Sequence, residues 1–287
     1  MENKKFCNFE KQMELIEQKG FIVSDKKQCL KILNAVNYYS LSAYFLPFKN
    51  VDGTYVQGVN FNRVCKIYEF DRKLRILIFS IIEEIETFLR SQLAHYHSEK
   101  YGNLGYLEAS SFSEYHNHAA FIEKKNFECI YKNRKNSIII HHNKKYDGNI
   151  PLWVIIEFFT IGMLSKFYAD MKTNDKKEIS KKLFGIKSYI CVESCLKSLT
   201  VLRNKCAHYA RLYGLNFTSR PKLNPKFKFK STAKLFEQLL MLKFLYSNLD
   251  AWHNNFFVNL KSLVEEYSEY ISLNDIGFPK NWENLLI

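Results

Sequence analysis

Glycine and proline are scarce: 10 Gly and 5 Pro in 287 residues. That excludes a collagen-like rod and argues against a sandwich or barrel, which needs frequent turn residues. Cysteine is sparse and unpatterned. The seven Cys are an odd number without a CxxC pair, and Cys191 and Cys195 stand at helical spacing beside apolar neighbours. They read as reduced core thiols of a cytoplasmic protein rather than as a disulfide framework or zinc site. Long apolar runs are missing. The densest, Ile76 to Ile82, meets Glu83, Glu84 and Glu86, far short of the ~20 apolar residues that span a bilayer. The opening residues Met1 to Cys7 lack the apolar core of a secretory signal. No membrane partner is expected. Arginine is rare as well, eight of 42 basic residues, so each is expected where a planar bidentate donor is needed.

What the chain does have is a large apolar fraction, 47%, with 24 Phe and 18 Tyr, and a formal charge of +13. The first supports a sizeable core and excludes disorder; the second points to a polyanionic partner. The periodicity predicts an all-α protein. Asn8 caps a helix to about Lys19, stopped by Gly20, and Ser24 or Asp25 opens a second. At most a small β-hairpin is expected near residues 48–58, around Asp52-Gly53. From Asn60 to about Lys100 there is no Gly or Pro, and Val64, Ile67, Leu74, Ile78, Ile81, Ile85, Leu89 and Leu93 recur at three- and four-residue steps, predicting one long helix or two collinear ones. Shorter helices follow near residues 116–131, then a basic, mobile loop at 132–149, an apolar helix from Pro151 to about Met171, a helix from Asp175 to Phe184, and one from Ser188 to Gly214. Residues 218–231 read as a loop or edge strand before the last helices. The expected organisation is an N-terminal helical segment (1–59), a helical core (60–214) and a C-terminal part (215–287) in which a basic loop precedes helices packed on that core.

No glycine-rich phosphate loop, HExxH or GxSxG occurs, and no Cys/His ligand set is clustered. His116, His118, His141 and His142 read as solvated loop histidines. The informative string is Arg203-Asn204-Lys205-Cys206-Ala207-His208-Tyr209-Ala210-Arg211-Leu212. On a continuous helix Asn204, His208 and Arg211 would share a face, with Arg203 reaching round to it. Arg90 and His95 repeat the five-residue interval. Chance predicts roughly 0.2 such pairs for eight Arg and eight His, so two are an excess, although Arg90 also has Glu86 four residues before it for an ordinary ion pair.

The Arg203-to-Leu212 string resembles the RNxCAHxxRL signature of the Abi family of abortive-infection proteins, whose helical domain belongs to the HEPN superfamily with its Rx4-6H motif. Tyr68-Glu69-Phe70-Asp71-Arg72-Lys73-Leu74-Arg75 is similar to the family's YEFDRKLR string, and Asn37 to Tyr44 to its NYYRLSGY string, with Ser40 and Ala43 as departures. Glu86-x-x-x-Arg90, Lys100-Tyr101-Gly102 and Pro151-Leu152-Trp153 also fit. The resemblance implies a HEPN-like helical bundle with N- and C-terminal helical extensions. It also implies a metal-independent, cofactor-free endoribonuclease acting as an antiphage toxin, as a homodimer, and in some members held in check by a noncoding RNA. Some HEPN toxins carry a modifiable Tyr two residues after the motif His; here Ala210 stands there.

RNA cleavage without a metal needs a base for the 2′-hydroxyl, an acid for the leaving 5′-oxygen and cationic donors for the phosphorane. Arg203, Asn204 and His208 are the expected catalytic residues, with Arg90 and His95 as a possible second half-site. RNA contacts are expected from Arg211, Arg220, Lys222, Lys226, Lys228 and Lys230, and from Lys132, Arg134, Lys135, Lys144 and Lys145 in the central loop. Tyr131, Phe227 and Phe229 are candidates for base stacking. The competing readings are a non-catalytic protein that holds a structured noncoding RNA, and an oligomerising interaction protein.

Overall fold

The uninterrupted stretch after Asn60 forms a single 41-residue helix. A computed structural model of the chain describes residues 5–223 and 229–287. In it α1 (Phe9–Gln18), α2 (Lys26–Ala35) and the short α3 (Tyr38–Ser42) precede α4 (Phe61–Tyr101). Asn8, Asp25 and Asn60 cap α1, α2 and α4 by accepting backbone N–H bonds from Lys11, Gln28 and Asn62. The apolar stripe read along α4 is buried, from Val64 to Leu93. At ~1.5–3 kcal/mol for each large apolar side chain, that stripe makes α4 a fixed axle.

The remaining helices are α5 (His118–Lys125), α6 (Ser137–Lys145), α7 (Leu152–Ile155), α8 (Ile161–Asp170), α9 (Thr173–Phe184), α10 (Tyr189–Ala207), α11 (Leu235–Leu245), α12 (Leu249–Ala251), α13 (Val258–Glu266) and α14 (Trp282–Leu286). α4 packs against α7, α8, α10, α11 and α13, and one continuous core runs from Met13 to Leu286. The fold is all-α. Among the described residues only isolated bridges occur, and the expected hairpin reduces to one, Lys49 to Tyr55, around Gly53 at φ +89°. No described helix is long and apolar enough to cross a membrane.

Three sequence expectations change. The basic stretch 132–149 is not simply a loop: Asn136 caps α6, whose Ile139 is buried. The apolar helix from Pro151 breaks at Phe159, where Thr160 caps a new helix by accepting from Met163; the Arg90 guanidinium donates to the carbonyl of Phe159 at 2.9 Å. The helix expected to reach Gly214 stops at Ala207. Tyr209 takes a left-handed conformation (φ +56°), and the N–H groups of Tyr209 and Ala210 turn back to the carbonyls of Cys206 and Lys205. This is a helix-ending turn that usually calls for glycine.

Candidate active site

What ends α10 at His208 is a buried cluster on α4. Asp71 and Arg75, one turn apart, form an ion pair (2.5 Å) with 0% and 6% of their side chains exposed. Asp71 also accepts from the Tyr44 hydroxyl at 2.6 Å and from the backbone N–H groups of Leu212 and Tyr213 at 3.1 and 2.9 Å. Arg75 donates to Tyr44 and to the carbonyl of Ala210. Burial pushes the Asp71 carboxyl up from the usual carboxylate range, against the opposing pull of Arg75, Tyr44 and the two N–H groups. Three strings of the sequence, at residues 37–44, 68–75 and 203–212, thus meet at one point. The cluster pulls the chain after His208 onto α4, and the helix cannot continue.

α10 buries Val192, Cys195, Leu196, Leu199, Leu202 and Cys206 and turns Lys197, Asn204 and His208 outward. His208, the residue after the last helical one, is exposed, as is Asn204. Arg203 is a third exposed; its Nε donates to Glu86 at 3.1 Å and its guanidinium lies 6.0 Å from the Phe79 ring centre. Among the described residues its two terminal amino groups make no hydrogen bond. Burial pushes the Cys206 thiol up to about 12, so it is a packing group and not a nucleophile.

Arg211 does not share the His208 face, because α10 ends before it. It is half-buried, its Nη1 beside Gly214. Burial lowers its pKa, while Tyr44 and Asp71 act in the opposite sense. Arg90 is brought near Arg203 through a shared partner: Glu86, 8% exposed, faces Arg203 with Oε1 and Arg90 with Oε2 at 3.5 Å. His95 is exposed and 3.8 Å from Glu99, in a cavity that Arg90 also lines.

Of the remaining basic residues, Arg220, Lys222 and Lys230 are exposed. Lys226, Phe227 and Lys228 lie outside the described residues. Lys222 joins Lys166 and Lys197 around a groove of about 490 Å³ between α8 and α10. Thr200 and Val201 line it as well, and at helical spacing they lead to Asn204 and His208. In the central segment Lys132 pairs with Glu128, and Arg134 covers Tyr131 at 4.5 Å.

His116 departs from expectation. Its side chain is 1% exposed, its Nδ1 is 2.9 Å from Asp170, and its Nε2 is 3.3 Å from His118, which reaches the Leu107 carbonyl. His116 pins the loop before α5 to the end of α8, and His118, the first residue of α5, ties it to Leu107. His141 and His142 lie on α6, not in a loop. Among the described residues no three His, Cys, Asp or Glu side chains converge as a metal-ligand set.

From sequence alone Glu86 is legible only as a partner of Arg90, and Tyr44, Asp71, Arg75 and Phe79 carry no role. The Asp71/Arg75 spacing is the signal that was available.

Fold and site together define an all-α protein that presents an Arg-Asn-His group on the open end of one helix. The family model described as Abi-like protein matches residues 31–214, well over half of the chain, and the chain belongs to that family. Membership points to a role in abortive infection. No curated protein and no solved structure matches it.

Proposed function

We propose that the chain is a metal-independent endoribonuclease of the HEPN type, an abortive-infection toxin that cuts RNA by attack of a 2′-hydroxyl on the adjacent phosphate. The observation that carries this reading is the last turn of α10: an exposed imidazole and amide beside a guanidinium anchored through Nε, its terminal amino groups left for a phosphate. His208 takes the 2′-hydroxyl proton. The O2′–P bond forms as the P–O5′ bond breaks, and a second imidazole gives its proton to O5′. Arg203 holds the non-bridging oxygens and Asn204 orients the phosphate or the imidazole.

One imidazole cannot accept and donate in the same step, so a second is required. We assign it to a second copy of the chain. The exposed apolar side chains Ile76, Phe79 and Tyr209, around a cavity of about 450 Å³ that Cys206 and Ala207 also line, support a homodimer with both motifs at its interface. His95 of the same chain is the other source. The lysine groove between α8 and α10 would carry the RNA backbone toward His208.

That groove serves a non-catalytic RNA holder equally well, so His208→Ala decides. In the presence of a chelator, wild-type protein should yield 2′,3′-cyclic phosphate and 5′-hydroxyl ends. The variant should lose ~10²–10⁴-fold in rate while binding RNA with unchanged affinity and salt dependence. Products with 3′-hydroxyl ends, or undiminished cutting by the variant, would overturn the proposal.

A further inference from the structure

The cavity between α4 and α7 with the turn that follows it is not used by the dimeric chemistry assigned above. It measures about 540 Å³, and its walls carry Arg90, His95 and Glu99 on one side and Trp153 and Glu157 on the other, a size that takes a nucleoside. Trp153 is 52% exposed, whereas Trp252 and Trp282 are 0% and 7% exposed. A single exposed aromatic needs no explanation, but this indole is a wall of a cavity, and an open indole face is a stacking platform for a base.

The polar groups left over in the cavity are unequal. Arg90 meets the Phe159 carbonyl and Glu86 through Nη2, while its Nε is buried without a hydrogen-bond partner among the described residues, and His95 faces Glu99. Glu157 is exposed and forms no ion pair among the described residues. A phosphate is disfavoured there, since two carboxylates share the cavity with one partnered arginine. A neutral base carries no such penalty. A carboxylate only accepts hydrogen bonds, so it prefers an edge with two adjacent N–H donors. Guanine has that edge in N1–H and N2–H. Adenine and cytosine place an acceptor beside their amino group, and uracil has one N–H between two carbonyls.

We propose that this cavity is a guanine-selective subsite in which Trp153 stacks on the base and Glu157 accepts from N1–H and N2–H. Arg90, at the near end of the cavity, lies one helical turn, about 6 Å, along α4 from Glu86, and Glu86 pairs with both Arg90 and Arg203. A guanosine held there sets which phosphate reaches Arg203 and His208. The positional part of the proposal rests on the nuclease reading; base binding does not.

Trp153 is the exposed indole, so tryptophan emission of the intact protein reports the pocket without any cleavage. GMP should quench it at a concentration ten-fold or more below that needed for AMP, CMP or UMP. Glu157→Gln, an exposed position that leaves the fold intact, should raise the GMP concentration about ten-fold and leave AMP unchanged. Trp153→Phe should remove the quenchable signal. Equal quenching by all four nucleotides, or an unaltered GMP response in Glu157→Gln, overturns the subsite. GMP selectivity without RNA cutting upholds the subsite and overturns only the nuclease. Cutting with no guanosine preference in the mapped ends overturns the subsite's placement beside the cut and leaves the nuclease standing.

Discussion

Two carboxylate–guanidinium clusters sit on α4 about four turns apart, and they are built on opposite principles. Around Asp71 the bonding is complete: one guanidinium, one hydroxyl and two backbone N–H groups converge on a carboxylate with no exposure. Around Glu86 it is unfinished: one carboxylate faces two guanidiniums, and Arg203 keeps its terminal amino groups open. A closed network specifies conformation. In the proposed function, the open one, with its excess positive charge, is the part that takes an anion. The first sets where α10 ends, and the second sits beside the side chains which that ending exposes.

The sharpest way to break this comparison is to unmake the closed cluster. Asp71→Ala leaves Arg75 buried without its partner and frees the N–H groups of Leu212 and Tyr213. Such losses cost about 3–5 kcal/mol. Urea unfolding should show a drop of that order, with RNA cleavage lost as a consequence. A variant within about 1 kcal/mol of wild type would mean that the cluster does not set the turn.

His97 offers a third case, a buried polar group with no hydrogen-bond partner among the described residues. It is fully buried among Tyr101, Phe112 and Phe167, and neither ring nitrogen is hydrogen-bonded. Burial pushes its pKa down to about 4. The unfolded chain takes up this proton near pH ~6.5, so between those values the unfolded state binds more protons. Stability therefore falls as pH drops through 6.5 and levels off below about 4. Between pH 7 and pH 5 the wild type should lose about 2 kcal/mol from this group. His97→Leu should remove that share of the acid sensitivity, whatever it does to stability at pH 7. An identical pH slope in variant and wild type would contradict the assignment.

The open cluster should respond in the reverse way. Glu86→Gln keeps the shape but releases Arg203 and Arg90 from a common charge. Glu86 is buried, but the amide keeps its place and Arg203 is partly exposed, so the stability loss should be about 1–2 kcal/mol, below that of Asp71→Ala. Cleavage should fall about ten-fold, because the guanidinium is no longer held toward the phosphate. A stability loss as large as that of Asp71→Ala, with cleavage per folded molecule unchanged, would make the two clusters alike.

How far each cluster was legible follows from the range of the forces that build it. The extent of α4 could be read, with one helix or two collinear ones left open, because a stretch from Asn60 to Lys100 without Gly or Pro and a steady apolar step are local signals. The caps at Asn8, Asp25 and Gly185 are local as well. The end of α10 was not legible, since residues 208–213 contain no Gly or Pro and the stop comes from Asp71 and Arg75, more than 130 positions away. The break at Phe159 likewise has Arg90 of α4 on the freed carbonyl. At the site, residue types and spacing named Arg203, Asn204 and His208, but Glu86 reaches Arg203 across 117 positions, and only tertiary structure brings them together.

The smallest expected effect tests the junction between the clusters. Tyr209 holds a left-handed backbone, which costs a residue with a side chain about 1–2 kcal/mol, and it does so while 84% exposed, so burial returns little. The strain is imposed by the closed cluster, which fixes Ala210, Leu212 and Tyr213 just beyond. Glycine accepts this conformation freely, and Tyr209→Gly should raise unfolding stability by about 1 kcal/mol. If the ring lies at the protein–RNA or protein–protein contact beside His208, cleavage should fall several-fold in the same variant. A gain in stability paired with a loss of activity marks strain retained for function. A gain in stability with full activity would leave Tyr209 as a helix terminator alone and shift the weight of the interface onto Ile76 and Phe79.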